Sequence, residues 1–345
     1  MWGKLIRSNF WIKLRSWEYW PFGIIQFPLM LYWLWLSIKA RSLFFFSASN
    51  PEIPTGGMMG ESKYDVLALV PDEVKPKTVR IHVPSTTDKV LEMLTANNFK
   101  LPVVFKPDLG ERGWMVRIIH SENDIDRYLN DIRIDFIVQD LVNLPLEFGV
   151  FYVRFPNQQN GFVNSITMKE FLYVSGDGKS SLEELILSKD RAKLQWDVLK
   201  IKYHNELQRI PAIGERIELV PIGNHCLGTT FLNGNHLITD ELNDSFDRIS
   251  KNIKGFYFGR YDLRCASLED LAKGNIKVVE LNGCGAEPAH IYHPGSSIKE
   301  AFKVLFTHWR NLYEISVQNH AKGVPYISFR EGVKIYNRFK EAKSA

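Results

Sequence analysis

Gly259-Arg260-Tyr261-Asp262 and Val279-Glu280-Leu281-Asn282 each lie inside a short run of strand-forming residues, and the stretch 267–275 between them reads as a loop. Alternate side chains of a strand share a face, so Arg260 and Asp262 point one way while Tyr261 turns back. Glu280 and Asn282 do the same around Leu281. Two carboxylates and an amide then converge beside an arginine. Oxygen donors of this kind suit hard divalent ions such as Mg2+, which in enzymes complete their coordination with water and nucleotide phosphates. The plainer reading of the same residues is a polar hairpin face open to water.

Lys106 closes the apolar run Val103-Val104-Phe105 and is soon followed by Gly110 and Gly113. Main-chain amides of a glycine loop can close over phosphates, while a lysine on the adjoining strand supplies compensating charge. The spacing is not that of a P-loop, which needs GxxxxGK[ST].

The elements that must hold these groups follow from pattern. A short helix starts at Lys63, a strand covers Thr78–His82, and Val90, Leu91 and Leu94 at helical spacing predict a helix over 85–97. Leu101–Lys106 reads as a strand whose glycine-bearing turn returns through Met115–Ile119, before a helix over Ser121–Leu129. Strands at 136–141 and 148–155 complete a set in which a helix packs on a small antiparallel sheet. Gly176 and Gly178 mark a turn ahead of a helix over 181–187.

The chain has 345 residues, 45% of them hydrophobic, enough for one large or two medium domains. A net charge of +4 and the lack of a basic stripe with interleaved aromatics argue against nucleic acid as a partner. Cys226, Cys265 and Cys284 have no CxxC spacing, which suits a reducing compartment and not a zinc site or disulfide framework. Cys284, near the acidic cluster, reads as a buried structural thiol before it reads as a nucleophile.

The first fifty residues stand apart. Pro21–Ile38 carries no charge and is about long enough to cross a thin hydrocarbon core. Lys4, Arg7, Lys13 and Arg15 precede it and Lys39 and Arg41 follow, so the positive-inside rule leaves orientation undecided. Pro21 and Pro28 would kink a spanning helix, which leaves a re-entrant or interfacial segment open. A buried aromatic hairpin is the alternative to membrane attachment. Pro51, Pro54, Gly56 and Gly57 punctuate the sequence where the apolar head meets the soluble body, and a domain boundary is expected there. The resulting division is a membrane-associated segment at 1–50, a linker and opening region at 51–100, a small lobe at 101–160, a large lobe with the metal site at 161–320, and a basic tail at 321–345.

Lys63, the Lys106 strand and its glycine turn, Gln139-Asp140, Glu147, Lys169, Arg260-Tyr261-Asp262 and Glu280-Leu281-Asn282 occur in the order, and at roughly the intervals, of an ATP-grasp enzyme. The chain resembles that superfamily from about Lys63 to Pro294. Gly259-Arg260-Tyr261-Asp262-Leu263 is similar to a strand of D-alanine–D-alanine ligases. The segment from Val174 to Leu185 is similar to one in cyanophycin-synthetase-type ligases. The resemblance implies an α+β fold of two lobes with ATP between them, here preceded by an apolar N-terminal helical membrane segment.

It further implies that Lys63, Lys106 and Lys169 reach the phosphates, with the Gly110–Gly113 loop above them. Glu147 would take the ribose hydroxyls, and Gln139, Asp140 and Leu141 would edge the adenine, with Gln139 and Asp140 competing for one position. Asp262, Glu280 and Asn282 correspond to ligands of Mg2+, with Mn2+ as the alternative ion. Arg260 corresponds to the arginine that steadies the transferred phosphoryl group. Phosphoryl transfer is mainly positioning and charge neutralisation, which these residue types suit.

The expected activity is that of an ATP-dependent carboxylate–amine ligase working through an acyl phosphate. Its substrates would be small-molecule or lipid-linked carboxylates and amines, and its catalytic part would lie on the cytoplasmic side of a membrane. An ATP-grasp phosphotransferase and a silent membrane scaffold are the competing classes. Arg112, Arg264, Trp114, His290 and His293 are further candidates for the substrate side. Glu287 stands where the dipeptide ligases carry a serine-rich loop, and a cationic amine is its expected partner.

Overall fold

The computed structural model describes residues 8–110, 113–220, 223 and 225–344. Lys4, Arg7 and Arg112 lie outside this set, as does the side chain of Cys226.

The chain opens with α1 (Asn9–Arg15), whose first turn is capped by Ser8, and α2 (Phe22–Ala40), which contains Pro28 and stops at Arg41 in the left-handed conformation. Gly23–Ala40 is long and apolar enough to cross a membrane, and 22% of it is buried inside the protein. Ile25 and Leu29 pack with Ile291, Ala301 and Leu305. Leu36 joins Phe45, Phe46 and Leu312 in a second cluster.

Residues 45–50 are buried throughout. Asn50 donates to the carbonyls of Gly56 and Phe258 and accepts from the amides of Tyr257 and Phe258, all at 2.8–3.0 Å. The expected boundary at residue 50 is therefore corrected: this stretch is core, its Asn50 side chain bonded to the backbone that opens β10 and its Ala48 and Ser49 carbonyls accepting from Asn319.

Next come α3 (Lys63–Ala68), β1 (Thr78–Ile81), α4 (Thr87–Ala96), β2 (Val103–Pro107), β3 (Arg117–Ile119), α5 (Glu122–Asp131) and β4 (Phe136–Asp140). The four strands form an antiparallel sheet in the order β1-β4-β2-β3. Val90 and Leu94 of α4 and Ile125 and Tyr128 of α5 cover one face, against Val103, Phe105, Phe136 and Val138. Helix starts follow their caps: Ser62 accepts from the Asp65 amide, and Ser121 forms a capping box with Asp124.

The second body contains β5 (Leu146–Val153), β6 (Phe162–Glu170), β7 (Leu172–Ser175), α6 (Leu182–Ser188), α7 (Asp190–Lys193), α8 (Trp196–Lys202), β8 (Arg216–Val220), β9 (Thr230–Asn233), α9 (Asp240–Lys251), β10 (Phe258–Cys265), α10 (Leu268–Lys273) and β11 (Lys277–Asn282). A five-stranded antiparallel sheet runs β11-β10-β5-β6-β9, and β7 pairs with β8 in a separate ribbon. Alternation decides which side each residue serves. Phe148, Val150 and Tyr152 of β5 face a core closed by Leu242 and Phe246 of α9. Phe151 and Val153 face Phe45, Leu312 and Ile315. The last two residues of that set belong to α11 (Ile298–Ala321), which is followed by α12 (Phe329–Ser344).

Two further expectations change. The stretch 267–275 is not a loop. Ser267 caps α10 by accepting from the Asp270 amide, and Gly274 closes it at φ 79°. The small-lobe sheet spans 78–140 and not 101–160, since β5 is hydrogen-bonded to β10 and β6 in the larger sheet.

Candidate active site

β10 and β11 run antiparallel with Arg260 opposite Asn282 and Asp262 opposite Glu280. Tyr261 and Leu263 are buried in the core on the α9 side, which turns Arg260, Asp262 and Arg264 to the other face. The register shifts after Asp262: Leu263 pairs with Val278, so Val279 is an extra, unpaired residue. Its carbonyl accepts from Lys106 Nζ at 2.9 Å and Gln139 Nε2 at 3.3 Å. The bulge thus bridges the two sheets and brings Lys106 of the small lobe to the strand that carries Glu280.

A dense charge network follows. Asp262 accepts from Arg260 and Asn282 and pairs with Lys169, each at 3.1 Å. Lys169 also reaches Glu147 at 3.1 Å, and Glu147 in turn meets Arg264 Nε at 3.1 Å. Lys63, from the first turn of α3, pairs with Glu280. Among the described residues, the hydrogen-bond partners of Lys106 are neutral: Gln139 Oε1 at 3.1 Å and the Val279 carbonyl.

Protonation follows these partners. Burial pushes the Asp262 carboxyl up, but Arg260 and Lys169 outweigh it and bring the group down to about 2. Glu280 is also opposed by burial, yet Lys63 and Lys106 hold it below the usual carboxylate range. Burial works against the ammonium groups of Lys63 and Lys169. Glu280 in the first case, and Asp262 and Glu147 in the second, hold them above the ordinary lysine value. Burial also works against the Lys106 ammonium, and although Glu280 supports its charge, burial, with Lys63 nearby, wins and brings it down to about 8.

A cleft of about 870 Å³ lies between the two sheets. Lys63, Lys106, Gly110, Gly113, Gln139, Asp140, Leu141, Glu147, Lys169, Arg260, Asp262, Glu280 and Asn282 all line it, as do Trp114 and Arg264. Gln139 and Asp140, which compete for one position, sit in different surroundings because alternate residues of the strand face opposite ways. Gln139 is buried with its amide committed to Lys106, Thr78 and Val279, whereas Asp140 is half-buried and has Lys77 at 4.0 Å. Among the described residues, no group of three or more His, Cys, Asp or Glu side chains gathers as a metal centre. Asp262 and Glu280 with the Asn282 amide are a smaller set of hard oxygen donors. Both carboxylates are ionised and face each other in register, so the set fits a divalent cation shared with phosphate oxygens.

No known family profile matches the chain, and no curated protein does. Among solved structures, it is similar to a bifunctional glutathione synthetase from Pasteurella multocida at 17% identity and TM-score 0.35, covering 73% of this chain and 38% of that one. It is similar to the VanG D-Ala:D-Ser ligase from Enterococcus faecalis at 14% identity and TM-score 0.43, covering 75% and 62%. A D-alanine–D-alanine ligase from Bacillus anthracis matches at 12% identity and TM-score 0.41, covering 76% and 69%. The chain spans less than two thirds of the length of the first two of these proteins.

Residues from the N-terminal segment, which the sequence set apart as a membrane element, form another wall of the cleft: Trp17, Trp20, Ile25 and Gln26. Gln26 Nε2 donates to Glu287 Oε1 at 3.1 Å, and the Tyr292 hydroxyl donates to Glu287 Oε2 at 2.9 Å. The Glu287 carbonyl accepts from Arg260 at 3.2 Å, so this candidate sits next to the Arg260–Asp262 pair. The wall is fixed by Glu18, whose carboxylate meets Arg191 and His225, each at 2.7 Å. These partners lie more than 170 positions away in sequence, and no local pattern announces them.

Cys284 is buried with its thiol pushed up to about 12, which leaves it inert. His290 bonds Ser165 Oγ at 2.6 Å and is pulled by burial down to about 4, a structural role. His293 Nδ1 accepts from the Asn233 amide at 3.2 Å.

Proposed function

We propose that the cleft binds a magnesium nucleotide between the two sheets and that the protein is an ATP-dependent carboxylate–amine ligase of the ATP-grasp kind. One observation carries this reading. Cations from both bodies, Lys106 of the small sheet and Lys63, Lys169 and Arg260 of the larger body, enter one cleft where Asp262 and Glu280 stand opposite each other. Bound there, a magnesium nucleotide supplies the phosphoryl group that turns a substrate carboxylate into an acyl phosphate, which an amine attacks with release of phosphate.

The chain's own residues then divide the work. Asp262, Glu280 and Asn282 hold the metal. Lys63, Lys106 and Lys169 exchange their present partners for phosphate oxygens, with Gly110 and Gly113 lining the cleft beside them. Leu141 with the backbone at Gln139 and Asp140 edges the base, and Glu147 faces the ribose. Arg260 holds the transferred phosphoryl group and steadies charge as the amine adds. The substrates are small-molecule or lipid-linked carboxylates and amines, reached from the cytoplasmic side of a membrane.

The test is hydroxylamine trapping during ADP release with pools of carboxylates. A hydroxamate, lost in Asp262→Ala and Glu280→Ala, is the expected product. A stable phosphorylated acceptor with no hydroxamate makes the protein a phosphotransferase instead.

A further inference from the structure

Ile24, Phe27, Leu31, Leu34 and Ile38 succeed one another at three- and four-residue steps along α2, the geometry of a single helix face, and Trp35 flanks them. Each is between 37% and 76% exposed. The opposite face, with Ile25, Leu29 and Leu36, is sunk against α11 and the 45–48 turn. α1 continues the open surface with Phe10 and Leu14. An apolar face of this extent is not the surface of an ordinary soluble helix.

Charge selects the occupant. Lys13, Arg15, Lys39 and Arg41 are exposed around the face, and Lys39 Nζ lies 4.6 Å from the centre of the Trp35 ring. Glu18 is the one acid in 8–51, and its carboxylate is buried against Arg191 and His225. A second copy of the chain would set like charges against each other. Anionic lipid headgroups above acyl chains complement both the basic fringe and the apolar stripe.

Packing excludes a crossing. A spanning helix is surrounded by lipid or apolar protein through a core about 30 Å thick. Here the neighbour, α11, carries exposed Lys299, Glu300, Lys303, Arg310 and Glu314, which a hydrocarbon core rejects. We propose that α1 and α2 form a monotopic anchor that lies flat in the headgroup region of an anionic leaflet and does not cross it. Ile25 and Gln26 line the cleft beside the outward Ile24 and Phe27, so the cleft meets the bilayer surface. Resting on the ligase reading, this assigns an amphiphile as substrate, its polar end carrying the reacting carboxylate or amine.

The test uses the full chain, singly labelled with a fluorophore at Ile24→Cys, Leu31→Cys or Ile38→Cys in a Cys226→Ser background, with vesicles of phosphatidylcholine and phosphatidylglycerol. These three positions share one face and extend over about 21 Å of helix axis. Spin-labelled lipids should quench all three at the same shallow depth. Deep quenching at position 31 with shallow quenching at 24 and 38 means a span and overturns the proposal. Absence of quenching, with sedimentation showing a dimer that Ile38→Glu dissolves, overturns it in favour of a second copy. Lys39→Gln with Arg41→Gln should weaken binding to the mixed vesicles about thirty-fold. Equal binding to phosphatidylcholine alone contradicts the charge complementarity. ADP release assayed without vesicles reports on the ligase reading separately, so either idea can fail while the other stands.

Discussion

Lys106→Met should make the folded protein more stable while removing its nucleotide affinity. Lys106 is buried and, among the described residues, bonded to Gln139 and the Val279 carbonyl, and burial outweighs the support of Glu280 to bring it from 10.5 down to about 8. At about 1.4 kcal/mol per pH unit, that displacement is a cost of about 3 kcal/mol for keeping the ammonium charged. Methionine has similar length and no charge. It also leaves Gln139 Oε1 without its donor, a loss of about 1 kcal/mol, so the net gain near neutrality is about 2 kcal/mol.

The sign with pH is fixed by where protons bind. Between about 8 and 10.5 the unfolded lysine is protonated and the folded one is not, so wild type gains on the variant as pH rises through that window. Lys63 and Lys169, held above the ordinary value, stay charged throughout it. Urea unfolding of both proteins at pH 7 and pH 10 measures the difference. A variant less stable at pH 7, or a difference that does not change between the two pH values, refutes the assignment of Lys106 as a strained cation waiting for phosphate.

Asn50→Ala should cost at least about 3 kcal/mol in denaturant unfolding, because four hydrogen bonds to Gly56, Tyr257 and Phe258, three of them fully buried, lose their partner. Glu18→Gln should cost about 3 kcal/mol at neutral pH by leaving Arg191 uncompensated. Burial opposes the Glu18 carboxylate, but His225 and Arg191 hold it below 4.5, so its contribution is present above that value and fades as pH falls through the native one; thermal melts of the variant should lack this acid-side decline. Glu287→Gln should raise the KM for the amine substrate and leave nucleotide affinity unchanged, and an unchanged KM in steady-state assays would remove Glu287 from the acceptor side.

Much of the site could be read from types and alternation. Arg260 with Asp262, and Glu280 with Asn282, share faces because strands alternate, and the first of the small sheet's helices was visible in the spacing of Val90 and Leu94. The stretch 267–275 was misjudged even though Ser267, Asp270 and Gly274 carry the start and stop signals of a helix; six residues are too few for periodicity to register. The Val279 bulge was hidden because one extra residue in a strand leaves no compositional trace. Residues 45–50 looked like the end of an anchor, since apolar patterning cannot tell lipid from a sheet face. The cleft wall from Trp17 to Gln26 was missed for the same reason, its partners Arg191, His225 and Glu287 being joined to it only by tertiary folding.

Calorimetric titration of the purified chain with a non-hydrolysable ATP analogue, with and without magnesium, addresses the cleft directly. One site per chain, dependent on magnesium and lost in both Lys106→Met and Glu280→Ala, is the predicted result. No binding, or binding that survives undiminished in both variants, would contradict a nucleotide held between the two sheets.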